Sequence, residues 1–172
     1  ITPFDDYPIH QTAETLAVPS SSDRNHYDRY WFNGFSEEKD FLFEIGVGFY
    51  PNRHIMDAHF SISTAGKQYS YHASARMNPA RYPINIGPIS LEILEPMQKI
   101  TFSLKDPEKK LSCDLIFNAI TEPHLEPKSL MIEGTRKILE TSRFTQFGKW
   151  DGSIETESGN LDLTKEYGTR DK

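Results

Sequence analysis

Hydrophobic and polar residues alternate with a period of two along the centre of the chain. Every second residue of Phe41–Phe49 is large and apolar, and Glu44 and two glycines lie between them. Pro51–Arg53 interrupts this pattern, and a second alternation then runs over His54–Thr64. A period of two is that of a half-buried β-strand, and a Pro-Asn pair favours a turn. The centre of the chain is therefore predicted to form two long antiparallel strands joined by a short turn.

A similar alternation recurs through most of the sequence after residue 27. It predicts further strands over Asp28–Phe35, Gln68–Ala75, Ile89–Glu95, Lys99–Lys105, Leu111–Ile120, Ile138–Phe147, Trp150–Thr156 and Asn160–Leu163. Arg76–Pro88 and Glu122–Lys128 contain prolines and are predicted loops, whereas Ser129–Arg136 is ambiguous. About nine or ten short strands without a long helix are typical of an antiparallel sandwich or barrel. The hairpin order favours an all-β, up-and-down barrel or half-barrel with little helix.

The first 27 residues differ from the rest, because turn-forming residues are frequent in them. Between these turn formers, Ile9–Val18 has a thin apolar face that is compatible with a short helix. We predict an N-terminal arm over residues 1–27, which crosses or plugs the main body, and one β-domain over residues 28–172.

Composition narrows the class of protein. The 172 residues carry a net charge of −6 at pH 7, and no basic run is present, so nucleic acid is not an expected partner. The single cysteine, Cys113, cannot form an internal disulfide and lies in an apolar alternation, so we expect it to be buried and inert. The sequence has neither a leader-like start nor a run of about 18 apolar residues. We therefore expect no membrane span and a cytoplasmic location.

Two neighbouring strands carry candidates for acid–base chemistry. Asp57 and His59 are two residues apart on one predicted strand, so their side chains share a face on which a carboxylate can orient and charge an imidazole. His72 lies on the strand face opposite Tyr69 and Tyr71. If that face points into the barrel, His72 is a polar group in an apolar cavity and a candidate proton donor. The alternatives are a solvated strand face for Asp57 and His59, and a buried structural role for His72.

Candidate ligand-binding side chains lie mainly near the ends of the predicted strands. Arginines at a barrel mouth can clamp a carboxylate or phosphate, and aromatic side chains can line a cavity for an apolar molecule. The candidates are Tyr30, Trp31, Tyr50, Arg53, His59, Arg76, Arg143, Gln146, Arg170 and Asp171. For the charged residues the alternative is a loop-anchoring salt bridge or a contribution to solubility.

Gly46 and Gly48 leave a smooth strip on one face of their strand. Either the strand bends there, or a ligand or a chain segment lies against it. This segment lacks the third glycine and the following helix of a dinucleotide fingerprint, so no nucleotide cofactor is expected. Metal binding is not expected either, because the six histidines are scattered and His54 and His59 fall on opposite strand faces.

The order of several longer motifs resembles that of a group of bacterial proteins. These motifs are DRYWFNGF (Asp28–Phe35), GFYPNRHIMDAHFS (Gly48–Ser61), HASAR (His72–Arg76), GP (Gly87–Pro88), LEILEPM (Leu91–Met97), RFTQFGKWDG (Arg143–Gly152) and GTRDK (Gly168–Lys172). The group is similar to the calycin, or lipocalin-like, superfamily, which includes AttH-like proteins and carotenoid hydratases. The resemblance extends over nearly the whole chain and implies a lipocalin-like barrel.

The resemblance also implies a larger architecture and a class of ligand. Such proteins carry two lipocalin-like β-domains, so we expect a partner, which is a missing C-terminal half or a second copy of this chain. The expected ligand is a small apolar molecule, such as an isoprenoid, sterol or lipid, in a barrel cavity. The carotenoid hydratases imply hydration, cyclisation or isomerisation without a cofactor, with His72 and Asp57 as catalytic candidates. The alternative is a non-catalytic carrier or a structural half that pairs with a second β-domain.

Overall fold

The computed structural model of the protein describes residues 1–9, 14–16, 18–108 and 110–172, and strands dominate these ranges. The strands are β1 (Asp28–Ser36), β2 (Phe41–Tyr50), β3 (Ile55–Thr64), β4 (Lys67–Arg76), β5 (Ile84–Ile86), β6 (Ile89–Glu95), β7 (Lys99–Lys105), β8 (Leu111–Ala119), β9 (His124–Leu125), β10 (Ser129–Glu133), β11 (Arg136–Thr141), β12 (Phe144–Thr156) and β13 (Gly159–Asp171). Short 3-10 helices occupy Pro3–Asp6 and Pro51–Arg53.

Ten of these strands form one antiparallel sheet that curls into a nearly closed barrel. Their order is β4-β3-β2-β1-β13-β12-β8-β7-β6-β5, and β9 adds a short pairing to β12. Most neighbours are consecutive in sequence, as hairpins require, and the pairing of β1 with β13 joins the first and last strands of the sheet. The predicted all-β antiparallel barrel is therefore confirmed, and the predicted turn at Pro51–Arg53 connects β2 to β3.

The protein's own side chains fill the barrel interior. The largest fully buried side chains are Trp150, Arg170, Tyr30, Phe32, Phe43, Phe49, Phe60, Phe102, Phe117, Ile9, Leu16 and Ile45. The ring of Trp150 lies edge-on to those of Phe43 and Phe117, with centroid distances of 5.3 and 5.2 Å. This spacing is that of aromatic rings in a close-packed core. The rings expected to surround a ligand in the interior instead pack against one another.

Two segments of the chain differ from the sequence prediction. β5 lies inside the predicted loop Arg76–Pro88 and pairs with β6. The predicted strand Ile138–Phe147 is divided between β11 and β12, because Ser142 and Arg143 separate the two strands. At this break the backbone amide of Glu126 donates to the carbonyl of Arg143 at 3.0 Å, and the guanidinium of Arg143 pairs with Glu126 at 2.5 Å. The ambiguous segment at residues 129–136 contributes β10, which pairs with β11.

The last two strands are longer than the sequence predicts, since β12 and β13 each extend over 13 residues. Their register shifts between Trp150 and Gly152, where a bulge interrupts the alternation. Gly152 has a φ of 130°, and Lys165 on the facing strand has a φ of 58°. These irregular positions hide the continuity of the two strands from a test that looks for a strict period of two.

Part of the segment before β1 packs against one end of the barrel. Asp6, Ile9 and Leu16 are buried there, and the backbone amide of Leu16 donates to the carbonyl of Pro79 at 2.9 Å. The predicted helix over Ile9–Val18 lies partly outside the described residues. The division into an arm at residues 1–27 and a β-domain at residues 28–172 stays a prediction.

Candidate functional site

The best candidate site is a groove on the outer face of the barrel, where β1, β2, β3 and β4 lie side by side. Its volume is about 350 Å³. Trp31 of β1 is opposite Gly46 of β2, and Gly46 is opposite His59 of β3. His59 is in turn opposite His72 of β4. Asp57 lies two residues before His59, so the two side chains point to the same outer face of the sheet. They lie beside Gly46 and Gly48, which have no side chains of their own.

The two glycines of β2 make room for the polar side chains of β3. A Cβ atom on Gly46 would lie 2.3 Å from Cε1 of His59. A Cβ atom on Gly48 would lie 2.7 Å from Oδ1 of Asp57. The imidazole and the carboxylate therefore lie across the backbone of β2. Side chains of the neighbouring strand thus occupy the smooth strip, rather than the ligand or chain segment considered from the sequence.

Partial burial moves the pKa values of Asp57 and His59 in opposite directions. Burial raises the pKa of Asp57, although His59 and a hydrogen bond from the Tyr50 hydroxyl act to lower it. Burial lowers the pKa of His59; Glu44 and Asp57 oppose this shift, and His72 adds to it. The carboxyl group therefore keeps its proton to a higher pH than usual, and the imidazole stays neutral to a lower pH than usual. Such a pair can supply an acid and a base in one site.

His59 has a titratable neighbour on each side along the sheet. The ring centroids of His59 and His72 are 5.7 Å apart, with an angle of 31° between the ring planes. Oε1 of Glu44 lies 3.7 Å from Nε2 of His59. These three side chains form a row across β2, β3 and β4. The sequence reasoning did not select Glu44, although its position two residues before Gly46 on the outward face was a usable signal.

The groove brings together half of the site residues predicted from the sequence. Its lining includes Tyr30, Trp31, Tyr50, Asp57, His59 and His72. His72 is exposed on the outside of the barrel, so it is not the polar group in an internal cavity that the sequence made conceivable. The reason is that Tyr69 and Tyr71 take the inward positions of β4, where both pack against the core. The ring of Tyr30 is also buried, and its hydroxyl donates to the carbonyl of Asp6.

Arg29 extends the groove toward β13. It lines the groove two residues before Trp31, and its Nη2 lies 2.9 Å from Oδ2 of Asp171. Burial raises the pKa of Asp171, whereas the cations of Arg29 and Arg143 act to lower it. Asp171 therefore borders the groove through this ion pair. The sequence reasoning missed Arg29, which shares a strand face with Trp31.

Arg170 and Gln146 belong to a separate, fully buried cluster. Arg170 donates from Nη1 to Oδ1 of Asp6 at 2.5 Å and from Nε to Oε1 of Gln146 at 2.8 Å. Gln146 donates to the carbonyls of Met97 and Thr121 at 2.9 and 2.8 Å. Because these polar groups are paired within the fold, the two residues hold the barrel end together and do not join the groove.

The remaining predicted arginines lie on the surface. Arg53 donates from Nη2 to Oδ1 of Asn25 at 2.6 Å and therefore ties the β2–β3 connection to the segment before β1. Arg143 pairs with Glu126, and Arg76 is exposed at the end of β4. Arg53 and Arg143 thus make the loop-anchoring contacts that were the alternative to ligand binding.

A second depression of about 730 Å³ lies toward the opposite end of the same strands. It is lined by Phe35, Ser36, Glu37, Asp40, Phe41, Leu42, Ser63, Thr64, Gly66, Lys67 and Gln68. Its charged side chains, Glu37, Asp40 and Lys67, are all exposed to solvent. The groove near His59 is the better candidate because Asp57 and His59 are partly buried and the ring of His72 lies close to that of His59.

An antiparallel barrel with a polar groove on its outer face is thus the class of protein that the fold and the site define. The model of a family described as Family of unknown function (DUF8625) matches residues 1–172, and the chain belongs to that family. No curated protein matches the chain.

The fold is similar to that of a known enzyme. The crystal structure of kievitone hydratase from Nectria haematococca matches with a TM-score of 0.58 and 11% sequence identity. The match covers 100% of this chain and 56% of the hydratase chain, so this chain spans little more than half the length of that protein. At this identity the similarity shows the fold alone.

Within the described ranges, no group of three or more His, Cys, Asp or Glu side chains is arranged to hold a metal ion. In the same part of the chain, no helix has the length and apolar character needed to cross a membrane. The cytoplasmic location stays a prediction.

Proposed function

We propose that this protein binds a small, largely apolar molecule in the outer-face groove and transforms it by acid–base chemistry, with hydration as the reaction class. The carrying observation is that Asp57, His59 and His72 lie beside Trp31 in one groove. The fold similarity to a hydratase and the resemblance to AttH-like proteins and carotenoid hydratases support the reaction class. The indole supplies apolar contact area for the ligand, and the three polar groups supply proton transfer.

Hydration of a double bond needs one group that donates a proton and one that accepts a proton. The raised pKa of Asp57 and the lowered pKa of His59 suit these two roles. In the proposed step, the Asp57 carboxyl group donates its proton to one carbon of a double bond. Water then bonds to the other carbon, while neutral His59 accepts a proton from that water. Return of this proton from His59 to Asp57, through solvent, restores both groups. The net change is the addition of one water molecule, and neither an oxidant nor a reductant is needed.

The partner that fits this function is a second β-domain that covers the groove. The groove opens on the outer face of the sheet, so solvent reaches it from one side. Proton transfer to an apolar double bond proceeds best where bulk water is excluded. Almost half of the kievitone hydratase chain lies outside the match, which is room for another domain in that protein. We propose an equivalent cover here.

The test uses isoprenoid alkenes as probes, with the purified protein in D2O. We expect a hydrated product that carries one carbon-bound deuterium, measured by mass spectrometry. Asp57→Asn should abolish the incorporation, whereas Glu92→Gln, which alters an exposed carboxylate on β6, should not change it. Deuteration that persists in Asp57→Asn, or a protein that neither binds nor converts any probe, would refute the proposal.

A structural half is the second candidate function, and the filled interior favours it. A carrier is expected to keep an open apolar cavity, whereas here the large rings occupy the barrel themselves. In that case the domain stabilises its partner and the groove is part of the contact. Native mass spectrometry separates the two functions, because a structural half retains no probe molecule.

A further inference from the structure

The hairpin formed by β10 and β11 projects from the barrel without covering its own apolar side chains. Its large hydrophobic residues are exposed by 41–56% and are Leu130, Met131, Ile132, Ile138 and Leu139. The two strands pair with each other as a separate sheet, and every residue of β10 is exposed. An isolated two-stranded hairpin is only marginally stable in water. The hairpin therefore presents apolar surface whose burial would be favourable.

Both faces of the hairpin carry large aliphatic side chains, and one face also carries Glu140, which pairs with Lys128 and Lys137. Met131 is opposite Leu139, so these two side chains share one face. Leu130 is opposite Glu140 and lies two residues before Ile132, which places both aliphatic side chains on the other face. The occupant must therefore contact the hairpin on two sides. A twofold contact between identical hairpins stacked face to face would cover one face and leave the other in water.

Exposed apolar side chains also lie on the barrel, in the segments that precede and follow the hairpin in the sequence. Ile120, Leu125 and Phe147 are exposed by 53–59%, and the backbone amide of Ile120 donates to the carbonyl of Phe147 at 3.0 Å. Leu125 is opposite Phe144, the first residue of β12. Residues 120–147 thus carry eight exposed large hydrophobic side chains on and around the hairpin.

We propose that the β10–β11 hairpin is the docking arm for the second β-domain. This inference rests on the proposed function, in which such a domain covers the groove, and it identifies the surface that holds the domain. A neighbouring β-domain is large enough to contact both faces of a projecting hairpin and the apolar surface at its base. Lys172 exchanges backbone hydrogen bonds of 2.9 and 3.1 Å with Phe144, so a domain joined after β13 would start beside the hairpin.

The hairpin and the groove lie on connected parts of the surface. Arg143, at the base of the hairpin, lies two residues before Thr145, which is opposite Asp171 on β13. The hydrogen bond and the charge of Glu126 raise the pKa of Arg143, and the charge of Asp171 adds to that shift. Asp171 pairs with Arg29, and Arg29 lines the groove. A domain seated on the hairpin is therefore adjacent to the groove wall. The same contact can hold the domain and exclude water from Asp57 and His59.

Cysteine labelling tests the proposal on two faces of the hairpin. Met131→Cys and Leu130→Cys each place a thiol on one face, and Leu94→Cys places a control thiol on β6, where Leu94 is 46% exposed. Cys113 does not interfere, because its thiol is buried and burial raises its pKa, which suppresses the reactive thiolate. Maleimide labelling rates are compared between residues 1–172 alone and the full polypeptide that the gene encodes.

In the full polypeptide we expect both hairpin thiols to react at least about tenfold more slowly, and the control thiol to react at an unchanged rate. Unchanged hairpin rates, or a gene that encodes no β-domain after residue 172, would overturn the proposal. A hairpin rate that falls as the concentration of residues 1–172 rises would also overturn it, because it assigns the surface to a second copy. These rates do not depend on turnover, so the result is distinct from that of the deuterium experiment.

Discussion

At the scale of single residues, His59 stands between neighbours that move its pKa in opposite directions. Partial burial lowers the pKa from 6.5, Glu44 at 3.7 Å opposes the shift, and His72 adds to it. The unfolded chain therefore binds more protons near this pH than the folded protein does at His59. The stability contribution of neutral His59 is present above pH 6.5 and is lost as the pH falls.

We predict opposite effects on the pKa of His59 from its two charged neighbours. Glu44→Gln should lower that pKa further, because a nearby negative charge is lost. His72→Gln should raise it, because a second imidazolium no longer repels the charged form. Titration of the imidazole resonances by NMR measures both shifts. A His59 midpoint at or above 6.5 in the unaltered protein would contradict the burial argument.

The sequence shows which residues share a strand face, but not which face points inward. It grouped Asp57 with His59, and it separated His72 from Tyr69, as the structure has them. Which face of β4 points inward is decided by the side chains of the other strands against which it packs. The sequence of β4 alone therefore does not show it. The partner of Arg170 was likewise hidden, because Asp6 lies 164 residues away in a segment without periodicity.

At the scale of elements, the glycines of two strands, β2 and β12, serve different purposes. Gly46 leaves space for the end of a side chain, since an added Cβ would meet Cε1 of His59. Gly152 lies in the β12 bulge with a φ of 130°, and an added Cβ would lie 2.1 Å from the backbone oxygen of Asp114. A partly exposed side chain can move, whereas a paired strand backbone cannot move without a loss of hydrogen bonds.

Alanine substitutions should separate these two purposes. Gly46→Ala should displace His59 toward solvent, raise its pKa toward 6.5, and change the free energy of unfolding by less than about 1 kcal/mol. Gly152→Ala should destabilise the fold by clearly more than about 1 kcal/mol, because the backbone conformation excludes a side chain. Urea unfolding and NMR titration measure the two effects. Equal losses of stability would mean that His59 cannot move aside.

Regular strands were predictable and irregular ones were not, for a physical reason. Alternation is produced by one buried face, so β2, β3, β7 and β8 show it over most of their length. β10 and β11 lack a buried face, since nearly all of their residues are exposed. Because neither face of this hairpin is buried against the barrel, its sequence shows no alternation of apolar and polar residues. The segment at residues 129–136 was ambiguous for this reason.

At the scale of the whole molecule, a buried ion pair joins the two ends of the chain. Asp6 and Arg170 are 0% and 1% exposed, and their side chains lie 2.5 Å apart. The backbone amide of Met97 also donates to the Asp6 carboxylate, and the guanidinium lies 5.2 Å from the ring centre of Phe144. The pair therefore fixes the segment before β1 to β13 and to the β6–β7 turn, which closes this end of the barrel.

Replacement of one partner of this pair should lower the free energy of unfolding more than replacement of both partners by apolar side chains. Asp6→Leu leaves a buried guanidinium without its carboxylate, and such a change costs about 3–5 kcal/mol. The double variant Asp6→Leu, Arg170→Met places apolar side chains at both positions, and we expect its loss to be smaller than the sum of the single losses. Arg143→Gln, which breaks the exposed pair with Glu126, is the control and should leave the free energy of unfolding unchanged. Denaturant unfolding is measured for the unaltered protein, Asp6→Leu, Arg170→Met, the double variant and the Arg143→Gln control. Additive losses in the double variant would show that Asp6 and Arg170 stabilise the barrel end independently.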